Sequence, residues 1–267
     1  MTVDALKERF AAIGAKLDVH APRRTSPWRP APPFSIDVLQ VGRREVFDLS
    51  IADQTREIHV RDLRPDDRHL LLLVERPESR GASRTWDTFL CGHDKRHWFV
   101  AGVPVNATTV REAKEALKPE QVRVAQVRRH VKAKALHRHG NAAFVRQGEW
   151  FFVPAPDLSP DPWLVLHKEP IRRGAGKPHI VEFLYRRGGT TVYVCPAFPN
   201  GLTENEYATL LRRQPEKRAL RWQTMRRDPQ AFAKGRVWHP DHKTIGLSCW
   251  HRVLLSNEHR NGVAFLD

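Results

Sequence analysis

Two alternating apolar runs, residues 180–186 and 190–195, lie on either side of Gly188-Gly189. That pairing constrains the chain more than any other feature. Paired glycines accept the positive φ angles of a tight two-residue turn, and alternation with period two puts one face of each run in a core. The spacing therefore predicts a β-hairpin, and further short strand patterns surround it. Residues 45–51 alternate, with Phe47, Leu49 and Ile51 on one face, and 57–63 alternate less cleanly. Residues 69–75 form a continuous apolar run of the kind found in strands covered on both faces. Runs at 86–91 and 97–103 frame a second hairpin, and 142–146 and 149–153 flank Gln147-Gly148. Residues 235–239, 243–247 and 250–255 read as three more strands.

Helical signals are fewer. In 3–17, Val3, Leu6, Phe10, Ile13 and Leu17 recur at spacings of three and four. Thr109 with Glu112, and Thr203 with Glu206, are capping-box pairs that open helices before Pro119 and across 202–213. Residues 119–136 predict a helix opened by Pro119 and Glu120. Five prolines in 21–33 predict an extended strap. Residues 167–169, His167-Lys168-Glu169, read as a loop before Pro170. The expected fold is α+β: two β-rich domains with a few helices, joined by a basic helix. The expected boundary separates a near-neutral domain, 1–118, from a strongly basic domain, 119–267.

Charge sets the functional expectation. The chain carries 45 Lys and Arg against 30 Asp and Glu, a net +15. Residues 1–120 are close to neutral at +2, and residues 121–267 hold the remaining +13. Arginines outnumber lysines 33 to 12, and the guanidinium fork matches phosphate oxygens bidentately. The expected function is nucleic-acid binding, RNA or DNA, through phosphate contacts by the C-terminal half. The residues expected to contact phosphate are Arg123, Arg128, Arg129, Lys132, Lys134 and Arg138, then Arg186, Arg187, Arg212, Arg213, Arg221, Arg226, Arg227 and Arg236. Interleaved aromatics such as Trp150, Tyr193, Trp222, Trp238 and Trp250 can stack on bases, though large rings more often fill cores.

Two clusters could carry metal chemistry. His239, Asp241, His242 and Lys243 sit in one pentapeptide, where imidazoles and a carboxylate can hold a divalent ion or act as a base beside a phosphodiester. This gives an alternative function, a metal-dependent phosphodiesterase or nuclease, weighed against a plain Pro-Asp turn between strands. Cys91, His93 and His97, with Cys249 and His251, offer the sulfur and nitrogen donors that zinc prefers, without a standard ligand spacing. Cys91 and Cys249 also read as small core residues, and that is the preferred reading, because cysteine is among the most buried residue types even without a role. The ion stays open between zinc and magnesium. A third reading makes the chain a protein-interaction subunit of a ribonucleoprotein assembly. Gly174-Ala175-Gly176-Lys177 lacks the residues a phosphate-binding loop requires. Three scattered cysteines, no apolar leader at the N-terminus and no long apolar run predict a cytoplasmic protein without a membrane partner.

Overall fold

The computed structural model describes residues 1–22, 32–52, 57–75, 85–94, 96–173 and 177–258. The strap expected at 21–33, Lys95 and the 174–176 glycine segment lie wholly or largely outside those residues. The protein is mostly β-sheet, with four α-helices among the described residues. It divides into two compact units. The first comprises residues 1–143, 174–176 and 255–267, and the second comprises 144–173 and 177–254. The boundary expected at 118/119 falls inside the first unit, and the basic stretch 119–137 belongs to that unit.

In the first unit, helix α1 (Val3–Ala12) leads into β1 (Leu17–His20), which pairs in parallel with β3 (Arg44–Ile51). Strand β3 also pairs with β2 (Phe34–Val41). A four-stranded antiparallel sheet follows in sequence order: β4 (Ile58–Arg64), β5 (His69–Glu75), β6 (Trp86–Asp94) and β7 (His97–Val103). Strand β5 shows why its apolar run is continuous. Leu70, Leu72 and Val74 pack with Phe10, Phe34, Phe47 and Leu49 on one side. Leu71 and Leu73 pack on the other side with Val110, Ala113 and Leu117, in and just after helix α2 (Val110–Ala116). Both faces of the strand are covered, so neither parity can be polar.

Helix α3 (Glu120–Arg128) is shorter than the 119–136 periodicity predicts. His130 adopts a φ of 47°. Its amide donates to Val127 O at 3.0 Å, and the Val131 amide donates to Gln126 O at 3.0 Å. These two bonds are a Schellman closure, which normally carries glycine at the left-handed position. Because histidine occupies it, the stop signal is absent from the sequence.

The second unit is built on a six-stranded sheet in the order β10-β11-β15-β16-β9-β8. Its strands are β8 (Val145–Gln147), β9 (Trp150–Pro154), β10 (Val165–Ile171), β11 (His179–Arg187), β15 (Gln230–His239) and β16 (His242–Leu255). Trp150, Phe152, Val181, Leu184, Ala233, Val237 and Leu247 form its core. A smaller sheet has the order β13-β12-β14. It contains β12 (Thr190–Cys195), β13 (Phe198–Thr203) and β14 (Gln223–Arg227), and helix α4 (Glu204–Arg213) follows β13. Thr203 and Glu206 make both bonds of the expected capping box. Tyr193 stacks on Tyr207 with centroids 4.1 Å apart, and Phe198 stacks on Trp222 at 5.5 Å, so these rings pack within the fold.

Four local expectations are corrected. The strands flanking Gly188-Gly189 form, but not as a hairpin: β11 pairs with β10 and β15, whereas β12 pairs with β13 and β14 in the smaller sheet. Residues 167–169 lie within β10, not in a loop. That strand is a sheet edge, the place in a sheet where proline is tolerated. The segments 243–247 and 250–255 form one 14-residue strand, because Ser248 and Cys249 continue the extended backbone between them. Residues 142–144 precede β8 and do not form a strand with 145–146.

Candidate functional site

The β15–β16 hairpin begins the site. Its strands end at His239 and resume at His242, which are register partners across the Pro240-Asp241 turn. The turn expected from Pro-Asp is therefore present, and it brings both imidazoles together. The Asp241 amide donates to His239 Nδ1 at 3.1 Å. The Asp241 carboxylate pairs with Lys177, at 2.9 Å. Lys243 is exposed, and its carbonyl accepts from the Gln147 side chain at 2.7 Å.

A third histidine completes the cluster. His179 opens β11, the neighbour of β15 in the sheet. Its ring lies 4.2 Å from that of His239 and 5.5 Å from that of His242, centroid to centroid. The rings of His239 and His242 are 4.6 Å apart. One nitrogen from each of the three falls within 4.8 Å of the others, and this is the group of metal-ligating side chains found among the described residues. Sequence spacing marks His239 and His242 but gives no reason to add His179, which lies 60 residues upstream and joins only through sheet pairing.

His179 is 2% exposed, and neither ring nitrogen has a hydrogen-bond partner among the described residues. Burial, then the neighbouring His239 and His242, pushes its pKa down to about 3, so the ring is neutral at physiological pH. A neutral imidazole has one donor and one acceptor. Leaving both unmet in a core costs on the order of 1–3 kcal/mol each. Gln147 Oε1 and Trp150 Nε1, on the adjoining β8–β9 hairpin, are buried and unpaired as well among the described residues. Gln147 Nε2 donates to Val237 O at 3.3 Å and to Lys243 O at 2.7 Å, tying that hairpin to the strands that bear His239 and His242.

Gly148 turns between β8 and β9 with a φ of 57°. A Cβ there would stand 2.9 Å from His242 Nε2 and 3.3 Å from His179 Nε2. The missing side chain thus keeps open a space bordered by two imidazole nitrogens. Glu149 follows it, and burial raises its carboxyl pKa.

The cysteine-based set does not assemble into a metal-binding group among the described residues. Cys91 is fully buried in the first unit's core, and burial drives its thiol pKa up. His93 packs edge-on against Trp98, and His97 Nδ1 pairs with a Glu45 carboxylate oxygen. In the second unit, His251 Nδ1 donates to Cys249 O at 2.8 Å and lies 3.9 Å from the Cys249 sulfur, so that nitrogen is engaged within its own strand.

All fourteen basic residues expected to contact phosphate are exposed. Arg123, Arg128, Arg129, Lys132, Lys134 and Arg138 lie in the first unit and the other eight in the second. Counted by unit, the charge is shared: 27 basic against 20 acidic residues in the first, 18 against 10 in the second. The asymmetry between sequence halves therefore does not carry over to the folded units. What the second unit adds is concentration. Arg186 and Arg187 close β11, Gly188 and Gly189 turn the chain with positive φ, and Thr190 and Thr191 pair with Arg227 and Arg226. Arg226 Nη1 donates to Gly189 O at 3.4 Å. The strands that meet at this turn thus carry four exposed arginines. Within the group, Arg186 pairs with Glu169 at 3.5 Å.

No helix among the described residues is long and apolar enough to cross a membrane. No protein-family model matches the chain, no curated protein matches it, and no solved structure matches it.

Proposed function

We propose that the second unit binds nucleic acid through phosphate contacts centred on Arg186, Arg187, Arg226 and Arg227. The observation that supports this reading is the gathering of those four exposed side chains at the β11–β12 turn. Like charges gathered on one surface repel one another, and a polyanion relieves the repulsion while releasing its own counterions. Arg212, Arg213 and Arg221 extend the basic surface of the same unit. The three cysteines are all free, which suits a place in the reducing cytoplasm.

The test is fluorescence anisotropy with labelled single- and double-stranded RNA and DNA at several salt concentrations. Reversing the four arginines to Glu is expected to weaken binding to every probe. For duplex DNA it should flatten the log K against log[salt] slope by up to about 3–4, at about 0.9 per phosphate contact. Unchanged affinity in the quadruple variant refutes the reading. Absence of salt-sensitive binding by the unaltered protein favours the protein-partner reading instead.

The three-histidine cluster in the same unit favours a second reading, cleavage of the bound phosphodiester by an ion-activated water. Metal-dependent shortening of the probe, lost in His242→Ala, distinguishes cleavage from binding alone.

A further inference from the structure

We propose that His179, His239 and His242 form a site for one divalent transition-metal ion of the zinc type, with a coordination position left for water or a ligand. This goes beyond the polyanion reading and does not rest on it. Three observations carry the site. The three imidazoles come from three different strand ends, yet each places a nitrogen within 4.8 Å of the other two. His179 is only 2% exposed, with both nitrogens unpartnered among the described residues, so its lone pair is directed at no hydrogen-bond donor there. Gly148 leaves a space that a Cβ would fill against the Nε2 atoms of His242 and His179, so two of the candidate donor atoms border one gap.

Donor chemistry selects the ion. Magnesium and calcium take oxygen ligands, and the group contains none. Imidazole nitrogens suit zinc, copper, nickel and iron. Closed structural zinc sites use four protein ligands, whereas three histidines with an open position are the arrangement of reactive zinc. The Asp241 carboxylate, beside two of the ligands in sequence, is engaged by Lys177. Tetrahedral ligands at 2.0–2.1 Å stand about 3.3 Å from one another. The nitrogens must close to that spacing from within 4.8 Å, a change that small ring rotations supply. The Gln147 bonds to Val237 O and Lys243 O hold the two hairpins in place while they do so, as outer-shell groups do at metal sites.

The test uses the untagged full chain, treated with a chelator and free of nucleic acid. Co2+ is titrated while the visible ligand-field bands are followed, Zn2+ is then added as competitor, and bound metal is counted. The expected result is one equivalent per chain, bands displaced by Zn2+, and a Zn2+-dependent rise in Tm on the order of 5–10 °C at ion concentrations near 100 Kd. His179→Gln and His242→Gln should each weaken binding by at least about 100-fold, beyond what outer-shell changes cause. His167→Gln, on exposed β10, should bind as the unaltered protein does. If His179→Gln fails to fold by circular dichroism, His242→Gln, at a half-buried position, decides the matter. No ion taken up by the unaltered chain overturns the proposal. So does an ion held equally well by the folded ligand variants, since it then sits elsewhere. Binding is read without nucleic acid, so this outcome and that of the arginine experiment are separate.

Discussion

Substituting Gly148 by Ala tests whether the space beside the histidines is as tight as the structure shows, and Gly188→Ala supplies its control. Both glycines belong to the second unit and have positive φ, 57° and 70°. A left-handed alanine costs about 1–2 kcal/mol, and loss of glycine's freedom in the unfolded chain returns about 0.4–1. The backbone effect alone is therefore about 1 kcal/mol at either position. At Gly188 nothing lies within 4 Å of the added Cβ, so that is the whole expectation. At Gly148 the Cβ meets His242 Nε2 at 2.9 Å and His179 Nε2 at 3.3 Å. Displacing packed rings adds about 1–3 kcal/mol, for a total of about 2–4. Urea unfolding of the chelator-treated protein reads both. With an m-value of about 2 kcal/mol/M, the Gly148 variant should lose roughly 1 M or more of midpoint and the Gly188 variant about 0.5 M. Adding His242→Ala to Gly148→Ala should recover part of the loss, a coupling of about 1 kcal/mol or more. Equal losses for the two single variants, or no coupling, would refute the crowding argument.

Two predictions concern the first unit. His130→Gly should stabilise it by about 0.5–1 kcal/mol, because glycine fits the left-handed closure of α3 that histidine now occupies under strain; a lower urea midpoint would show that the His130 side chain contributes more than its backbone costs. His137 is half-buried, with Nδ1 unpartnered among the described residues, and burial, then Lys118, pushes its pKa down to about 4. The unfolded chain binds this proton near pH 6.5 and the folded one resists it. The contribution is thus present above pH 6.5 and is lost as pH falls toward 4, by about 1–2 kcal/mol once solvent screening of a half-exposed ring is allowed for. In His137→Leu, stability measured from pH 7 to 4 should fall less steeply than in the unaltered protein, and an identical slope would count against it.

What could be read from the sequence follows from where the information lies. The β5 run and the Thr203–Glu206 cap are local, and each appears where its residues predict. The two strands on either side of Gly188-Gly189 also appear, but their pairing does not: β11 joins β10 and β15, and β12 joins β13 and β14 in a separate sheet, so the glycines mark a change of sheet and not a hairpin. The end of α3 was hidden because the closure uses histidine at a position where glycine would have announced it. Strand β10 was hidden because Lys168 has a φ of 52° and Pro170 follows, features that argue against a strand unless it lies at a sheet edge. The site shows the same division. His239 and His242 flank a legible turn. His179 reaches them through the β11–β15 ladder, in which Ile180 pairs with Trp238. A register between strands nearly 60 residues apart is not written in the local pattern of either.

That division also changes how the charge should be used. The excess of the C-terminal half pointed to one basic domain, yet the boundary after Ala143 assigns the run from Arg123 to Arg138 to the first unit. The polyanion argument then cannot rest on summed charge, which the two units share almost equally. It rests on proximity, since phosphate affinity depends on how many cations reach one backbone at once. Charge reversal of Arg128, Arg129, Lys132 and Lys134 therefore probes a different surface from reversal of the four arginines at the β11–β12 turn. If the turn is the binding centre, the turn variant alone should abolish most of the salt-dependent affinity, and the first-unit variant should leave more than half of the salt slope. The opposite ranking would move the interface to the first unit and detach it from the histidine cluster, leaving the proposed metal centre without a phosphodiester substrate in its own unit.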